Sequence, residues 1–182
     1  MPTYGVVLTY KDYEALPADG RRYEIHEGEL SVTPAPGTRH QRILGRLNDL
    51  LRRHVEDRGL GEVLLSPVDC ILSDSTIVQP DLVYLDPTRA HLVSERGIEG
   101  PPTLVVEILS PSTTNIDRST KRQLYRRFGV PHYWIVDPEA RTVEAYALDE
   151  GEYQLAARAF GEAPAALPPF PDLPLVPTSL WP

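Results

Sequence analysis

The chain has 182 residues, of which 41% are hydrophobic and 24% charged, a balance typical of a globular domain with its own core. Its formal net charge of −8 at pH 7 argues against a general, charge-driven binder of nucleic acid. Cys70 is the single cysteine, so no intrachain disulfide is possible and we expect a reducing, cytoplasmic location. We expect no signal peptide and no membrane partner, because no segment has the required apolar length.

The N-terminal part of the chain predicts a short helix, a β-hairpin and a long helix. Thr9 and Asp12 have the spacing of a capping box, so a helix is expected to begin there. Residues 22–26 and 29–32 are typical of a hairpin. Residues 38–58 predict a long helix, whose buried face is formed by apolar residues at helical spacing. They are Ile43, Leu44, Leu47, Leu50, Leu51 and Val55.

The middle of the chain predicts four strands, at 62–65, 68–72, 77–85 and 103–109. The segment 87–100 is expected to be a loop with one short element. The last of the four strands, TLVVEIL, is nearly continuous in apolar residues. Such a run indicates a strand that is covered on both faces.

The C-terminal part predicts a helix at 117–128 and then a three-stranded meander at 132–136, 142–148 and 153–160. The tail 163–182 is too rich in proline for a regular helix or a central strand. We expect it to pack on the body of a single domain that comprises residues 1–182. The apolar residues that favour this packing are Phe170, Leu173, Leu175, Val176 and Trp181.

Two acidic residues lie in or beside the predicted strands. Glu107 lies inside an apolar strand, where an unpaired carboxylate is costly and needs a cation, a metal or a proton. Asp81 follows Pro80 at the beginning of an apolar run. The alternatives are a solvated Glu on an edge strand and an Asp in a turn. Two acids on neighbouring strands would form an oxygen-rich site that suits Mg²⁺ or Mn²⁺.

Lys121 is one of only two lysines in the chain. On the predicted helix, Asp117, Lys121, Leu124 and Phe128 share one face. Leu124 and Phe128 are expected to face the core, so Lys121 is expected to point inward beside the two acids. The alternative is a lysine that extends past the apolar face into water. A metal ion held by the acids would activate water, and the lysine would stabilise a phosphate undergoing hydrolysis.

Several motifs occur together along the chain. They are YEI with EGEL at 23–30, HQRI at 40–43, QPDL at 79–82, VVEILSPST at 105–113, KRQLY at 121–125 and VPHYWIVDP at 130–138. From about Leu8 to the proline-rich tail, this combination resembles the Uma-two family of restriction-endonuclease-like proteins. The resemblance implies a PD-(D/E)XK nuclease fold. That is an α/β (α+β) fold with a central mixed β-sheet flanked by helices, an N-terminal hairpin and a C-terminal β-meander.

The resemblance also implies roles for individual residues. Asp81 matches the acid of the PD half-motif and Glu107 the second acid, both as ligands of Mg²⁺ or Mn²⁺, with the carbonyl of Ile108 as a further ligand. The lysine of the usual motif lies two residues after the second acid, where this chain has Leu109. The pattern implies that the lysine has moved to Lys121, which the helical spacing places on the same inward face.

His40 and Glu24 complete the set of candidate catalytic residues. His40 opens the long helix beside the expected metal site, and the alternative is an exposed histidine. Glu24 would be an additional acid, and the alternative is a hairpin residue that faces solvent. Asp117 is expected to pair with Lys121 or to begin the helix favourably.

The sequence therefore predicts a metal-dependent endonuclease that hydrolyses phosphodiester bonds of nucleic acid, with DNA as the expected substrate and a homodimer as the expected assembly. Two other functions remain open. One is a nucleic-acid-binding module of the same fold with weak or no catalysis. The other is a homo-oligomeric interaction protein, for which Tyr133, Trp134, Tyr146 and the proline-rich tail would supply the surface.

Overall fold

The computed structural model describes residues 5–182. Its α-helices are α1 (Tyr10–Glu14), α2 (Thr38–Glu56) and α3 (Arg122–Arg127), and a π-helical segment, Ile116–Lys121, leads directly into α3. The strands, in chain order, are β1 (Arg22–His26), β2 (Glu29–Thr33), β3 (Glu62–Leu65), β4 (Cys70–Ser73), β5 (Thr76–Val78), β6 (Leu82–Leu85), β7 (Val93–Ser94), β8 (Gly97–Ile98), β9 (Leu104–Ile108), β10 (His132–Asp137), β11 (Thr142–Asp149), β12 (Glu152–Phe160), β13 (Ala165–Leu167) and β14 (Phe170–Leu175).

The larger sheet has the order β12-β11-β10-β9-β6-β3. Only β9 and β10 run parallel, and the other neighbours are antiparallel, so the predicted central mixed sheet is confirmed. The apolar stripe of α2 packs in one core with Leu104, Val106 and Ile108 of β9. On the opposite face, Val105 belongs to a second core that includes Leu124 of α3. Both faces of β9 are therefore covered, as its apolar sequence predicts.

A second sheet, which the sequence analysis did not predict, has the order β2-β1-β5-β4-β8-β7. It incorporates the N-terminal hairpin, whose strands pair in the predicted position. The hairpin joins the rest of this sheet through the pairing of β1 with β5, in which Ile25 lies opposite Ile77. The hairpin is thereby held against the middle of the chain, because Ile25 and Ile77 are both fully buried.

The prediction of one continuous strand at 77–85 was wrong. Residues Thr76–Val78 form β5 of the smaller sheet, and Leu82–Leu85 form β6 of the larger sheet. Between them lies Pro80, which has no N–H to donate to a strand ladder and so favours a change of sheet at this point. Asp81 consequently lies where the chain passes from one sheet to the other.

Other elements differ from the prediction in detail. The helix expected at 117–128 begins at Ile116 with π-helical geometry, and the long helix ends at Glu56 rather than at 58. The expected loop at 87–100 contains a 3₁₀ helix, Pro87–Leu92, followed by the short strands β7 and β8. Within residues 5–182, no helix has the length and hydropathy needed to cross a membrane.

The C-terminal tail contributes to the core of the larger sheet. Its strands β13 and β14 form an antiparallel pair. The ring of Phe170 is buried at 4.9 Å from that of Tyr84 and 6.0 Å from that of Trp134, measured between centroids. Tyr133 and Trp134 are fully buried, so the expectation that they form an exposed interaction surface was wrong. Their strand β10 is central in the sheet, and both of its faces are covered.

Candidate active site

Of the two acids of the predicted metal site, Glu107 lies on β9 and Asp81 immediately precedes the neighbouring strand β6. In the antiparallel ladder of β6 and β9, Leu82 is opposite Val106. One residue further along the same register, Asp81 comes opposite Glu107. Both carboxylates are almost completely buried, with 1% of each residue exposed. Since side chains alternate between the faces of a strand, Glu107 lies on the same face as Val105, toward α3.

Glu107 is held by the helix that follows its strand. One of its oxygens, Oε1, accepts hydrogen bonds from Lys121 Nζ at 3.0 Å and from the hydroxyl of Tyr125 at 2.6 Å. Lys121 and Tyr125 are four residues apart and so project from the same side of the helix. Lys121 is only 4% exposed, which excludes the alternative of a lysine that extends into water.

Glu24 reaches the same cluster from the smaller sheet. It is 2% exposed, and its Oε1 lies 2.9 Å from Lys121 Nζ. The same oxygen accepts a hydrogen bond of 2.6 Å from the backbone N–H of Gln79, while Oε2 lies 3.0 Å from Nε2 of His26. The alternative of a solvent-facing hairpin residue is thus excluded, because the second sheet brings β1 beside the lysine.

Asp81 has three polar contacts. Its Oδ1 accepts a hydrogen bond of 3.0 Å from the guanidinium of Arg22. Its Oδ2 lies 3.0 Å from Nε2 of His40 and accepts a 2.8 Å hydrogen bond from the backbone N–H of Ile108. His40 is therefore buried beside the acid, and the alternative of an exposed histidine is wrong. The N–H of Ile108 ties the carboxylate of β6 to the strand that carries Glu107.

Asp117 is the fourth buried carboxylate of the cluster. It lies one turn before Lys121, with Oδ1 at 3.8 Å from Nζ. The pairing expected from the sequence is therefore present, although it is longer than the contacts of Lys121 with Glu24 and Glu107. The structure brings all five predicted catalytic residues and Asp117 to one place in the molecule.

The environment shifts the pKa values of these groups in different directions. Burial raises the pKa of Glu107 to about 8. The carboxylates of Asp117, Asp81 and Glu24 add to this upward shift, and Lys121 offsets only part of it. Burial also acts on Glu24, but Lys121 and His26 outweigh it and hold its pKa at about 2. Lys121 remains charged, because its carboxylate partners raise its pKa despite burial.

The pKa values of Asp81 and Asp117 are also shifted in opposite directions. Burial opposes ionisation of both acids. For Asp81, the contacts with His40 and Arg22 and the N–H of Ile108 prevail and lower its pKa. For Asp117, which has no such set of donors, burial prevails and its pKa is raised. Strongly shifted acids gathered at one cavity are typical of functional sites.

The cluster lines a cavity of about 230 Å³. Its lining includes residues 33–37, from the end of β2 to the beginning of α2, and the segment 110–113 that follows β9. The charged residues at this cavity are four carboxylates, two permanent cations and one histidine. They are Glu24, Asp81, Glu107, Asp117, Arg22, Lys121 and His40.

This donor set fits a divalent cation by its chemistry. Four acidic side chains offer oxygen ligands, which Mg²⁺ and Mn²⁺ prefer, although a pKa of about 8 leaves Glu107 largely protonated at pH 7 until a cation binds. Both hydrogen bonds of Glu107 go to Oε1. Among residues 5–182, however, no group of three or more His, Cys, Asp or Glu side chains is arranged to hold a metal. A bound cation would therefore rely on the two strand acids together with backbone or water ligands.

The contacts of Arg22 with Asp81 and of Tyr125 with Glu107 were not predicted from the sequence. Arg22 precedes Glu24 by two residues on β1, and the period of two along a strand was a signal that both face the same side. Tyr125 lies four residues after Lys121, which was the corresponding helical signal. No sequence pattern predicts the contact of the Gln79 N–H with Glu24, because that contact depends on how the two sheets meet.

Comparison with known proteins places this chain in a family. The family described as Uma2, putative restriction endonuclease, matches residues 10–177. The fold is similar to that of a protein from Anabaena variabilis described as a putative nuclease belonging to DUF820, with a TM-score of 0.78 and 22% identity over 95% of this chain and 97% of that chain. A partial likeness to the type IIG restriction endonuclease BpuSI has a TM-score of 0.39 and 15% identity, and covers 62% of this chain and 12% of that one. No curated protein matches. Because the family match spans nearly the whole chain, the protein belongs to the Uma2 family of putative restriction endonucleases.

Proposed function

We propose that the protein is a divalent-metal-dependent nuclease that hydrolyses phosphodiester bonds of nucleic acid at the cavity lined by Asp81, Glu107 and Lys121. The observation that carries this proposal is the buried contact of Lys121 with Glu107, beside Asp81 on the neighbouring strand. Family membership supports the class of reaction. The oxygen donors of four acidic side chains at the cavity support the metal dependence.

In this proposal Asp81 and Glu107 hold the metal. When bound there, a divalent ion would polarise a phosphate and lower the pKa of a water molecule that it holds. Arg22, His40 and the N–H of Ile108 orient the carboxylate of Asp81. We assign His40 a positioning role, because its Nε2 contacts the acid directly.

Lys121 serves the reacting phosphate in this proposal. Its ammonium stays charged between Glu24 and Glu107 and lies at the cavity wall. A fixed positive charge at that place stabilises the negative charge that develops on the phosphate during attack by water. Glu24 keeps the lysine in position, since its own carboxylate is fixed by the N–H of Gln79.

Cleavage assays with labelled DNA and RNA, run across a titration of Mg²⁺ and of Mn²⁺, test the proposal. Asp81→Asn keeps the shape of the side chain and removes its charge, so we expect cleavage to fall by about 10²-fold or more. Asp149→Asn, at an exposed end of β11, is the matched control and is expected to retain full activity. The absence of cleavage with every metal, together with unchanged metal binding in Asp81→Asn, would refute the proposal.

A nucleic-acid-binding module without turnover is the second candidate. The observation in its favour is Leu109, which is buried at the position where the resemblance leads one to expect a lysine. Salt-dependent binding of an oligonucleotide without cleavage in any metal would support this candidate instead. The predicted homodimer stays a prediction, which sedimentation velocity tests.

A further inference from the structure

The acids of the proposed nuclease site are buried in the wall of a small cavity. Asp81 and Glu107 are each 1% exposed, and the cavity above them measures about 230 Å³. A phosphodiester must enter this space to come near either carboxylate. In a duplex, the backbone is part of a broad surface with stacked base pairs behind it. A single unpaired strand can instead bend and insert one phosphate.

A second, more apolar cavity of about 480 Å³ adjoins the first. The two share Gly37, His40, Ser110 and Pro111 in their linings. The second cavity also includes Leu109 and Pro138, so much of its wall is apolar. Pockets that enclose a drug-sized ligand, the size class of a nucleotide, measure roughly 300–1,000 Å³. The pair of cavities thus offers a small polar space for a phosphate beside a larger, less polar space for the nucleoside attached to it.

The charges at the two cavities do not suit a duplex. Duplex binding depends on several unpaired Lys or Arg side chains that neutralise successive phosphates. The permanent cations that line the two cavities are Arg22, Lys121 and Arg39, and only Arg39 is exposed, so the cavities present one accessible cation and not a row of them. The net charge of −8 adds no general attraction for a polyanion. Recognition therefore has to come from enclosure of a short unpaired segment.

We propose that the substrate is an unpaired strand of nucleic acid, with the scissile phosphate in the carboxylate cavity and the adjoining nucleoside in the apolar cavity beyond Gly37. This inference rests on the proposed nuclease function and names its substrate class. DNA and RNA share the required chemistry, since both present a flexible phosphodiester between nucleosides. Enzymes that act on a single nucleotide commonly take it out of the base stack in the same way.

Gly37 offers a direct test of the shared wall. It lies at φ −75°, a conformation open to any residue, and a Cβ added there would meet no atom within 4 Å. Because Gly37 lines both cavities, Gly37→Phe should fold and place a ring at their shared wall. Gly45→Phe is the control, because Gly45 is exposed on α2, the helix that Gly37 precedes as its N-cap, and an added Cβ there also meets open space. Thermal unfolding of both variants confirms that they are folded.

The experiment compares 5′-labelled 20-nucleotide single strands of DNA and of RNA with the duplex of the same DNA sequence, in Mg²⁺ and in Mn²⁺. We expect at least one single strand to be cleaved about tenfold or more faster than the duplex. Gly37→Phe should lose about tenfold of that activity, whereas Gly45→Phe retains it. Equal or faster cleavage of the duplex would overturn the inference and leave the nuclease function intact. Full activity of folded Gly37→Phe would overturn the nucleoside position, and no cleavage of any strand would overturn the nuclease function as well.

Discussion

The hydroxyl of Tyr125 donates a 2.6 Å hydrogen bond to Oε1 of Glu107, the same oxygen that Lys121 contacts. Two donors from one face of the helix thereby orient the carboxylate at the cavity. Because both donors act on Oε1, the second oxygen of Glu107 is left for another ligand. The helix after β9 thus supplies the lysine and also sets the orientation of the acid.

Replacing Tyr125 with phenylalanine tests this relationship. We expect Tyr125→Phe to lower the free energy of unfolding by about 1–3 kcal/mol, since a buried hydrogen bond to an ionisable group is lost. We also expect slower cleavage, because Glu107 is then held by Lys121 alone. Urea unfolding and cleavage assays measure the two effects. Tyr146→Phe removes a 2.9 Å bond to Glu144 outside the cavity, so cleavage should be unchanged in that variant. Equal cleavage by both variants would show that Tyr125 does not orient the acid.

Lys121 is expected to be essential for the stability of the cluster. Lys121→Met removes the cation between Glu24 and Glu107, and loss of one partner of a buried ion pair typically costs about 3–5 kcal/mol. Urea unfolding should show this loss, and adding Glu24→Gln should recover part of it, because one unpaired carboxylate is removed with the lysine.

A surface pair provides the matched control for the lysine. Arg52 and Glu56 form an exposed ion pair one turn apart on α2. Arg52→Met should leave the free energy of unfolding essentially unchanged, because exposed pairs contribute little. If Lys121→Met lowered the free energy of unfolding as little as Arg52→Met does, the stability of the cluster would not depend on its buried cation.

Because of Asp86, we expect the free energy of unfolding to depend on pH in the acidic range. Its carboxylate accepts hydrogen bonds from Thr103, Thr88 and Arg89, which prevail over burial and hold its pKa at about 2, below the usual 3.8. A lowered pKa stabilises the folded state above pH 4, and this contribution is lost as the pH falls toward 2. Asp86→Ala should therefore cost about 1 kcal/mol at pH 7, as loss of an N-cap does, and less at pH 3.

Urea unfolding at pH 7, 5 and 3 measures this dependence. The exposed Asp149→Ala serves as the control and should show no comparable change between these pH values. A loss in Asp86→Ala that stayed constant from pH 7 to pH 3 would contradict the assignment. It would mean that the charge of the Asp86 carboxylate does not strengthen its N-cap of the 3₁₀ helix Pro87–Leu92.

Phe170 tests how far the proline-rich tail stabilises the larger sheet. Its ring contacts Tyr84 and Trp134 in the core, so Phe170→Ala should cost about 3–5 kcal/mol through lost burial and a residual cavity. Phe160→Ala, at the exposed end of β12, is the matched control and should have little effect. Denaturant unfolding of the two variants compares them directly. Equal, small losses would indicate that the tail is dispensable.

Much of the secondary structure was predictable from local patterns. The apolar stripe of α2 and the covered strand β9 follow from side-chain periodicity, because each period belongs to one kind of element. The inward direction of Lys121 followed from the helical spacing of Leu124, which is buried as expected. The break at Pro80 was missed, since an apolar run on both sides of a proline resembles one strand.

The sequence by itself determined which residue types carry the chemistry and that Glu107 needs a partner, because a carboxylate in an apolar strand cannot remain unpaired without a large cost. The tertiary structure decided who the partners are. Glu24 reaches Lys121 only because the smaller sheet meets the larger one near Asp81, and Arg22 comes with it on the same strand. Such contacts join residues about 60 to 100 positions apart, and local periodicity carries no information about distances across that separation.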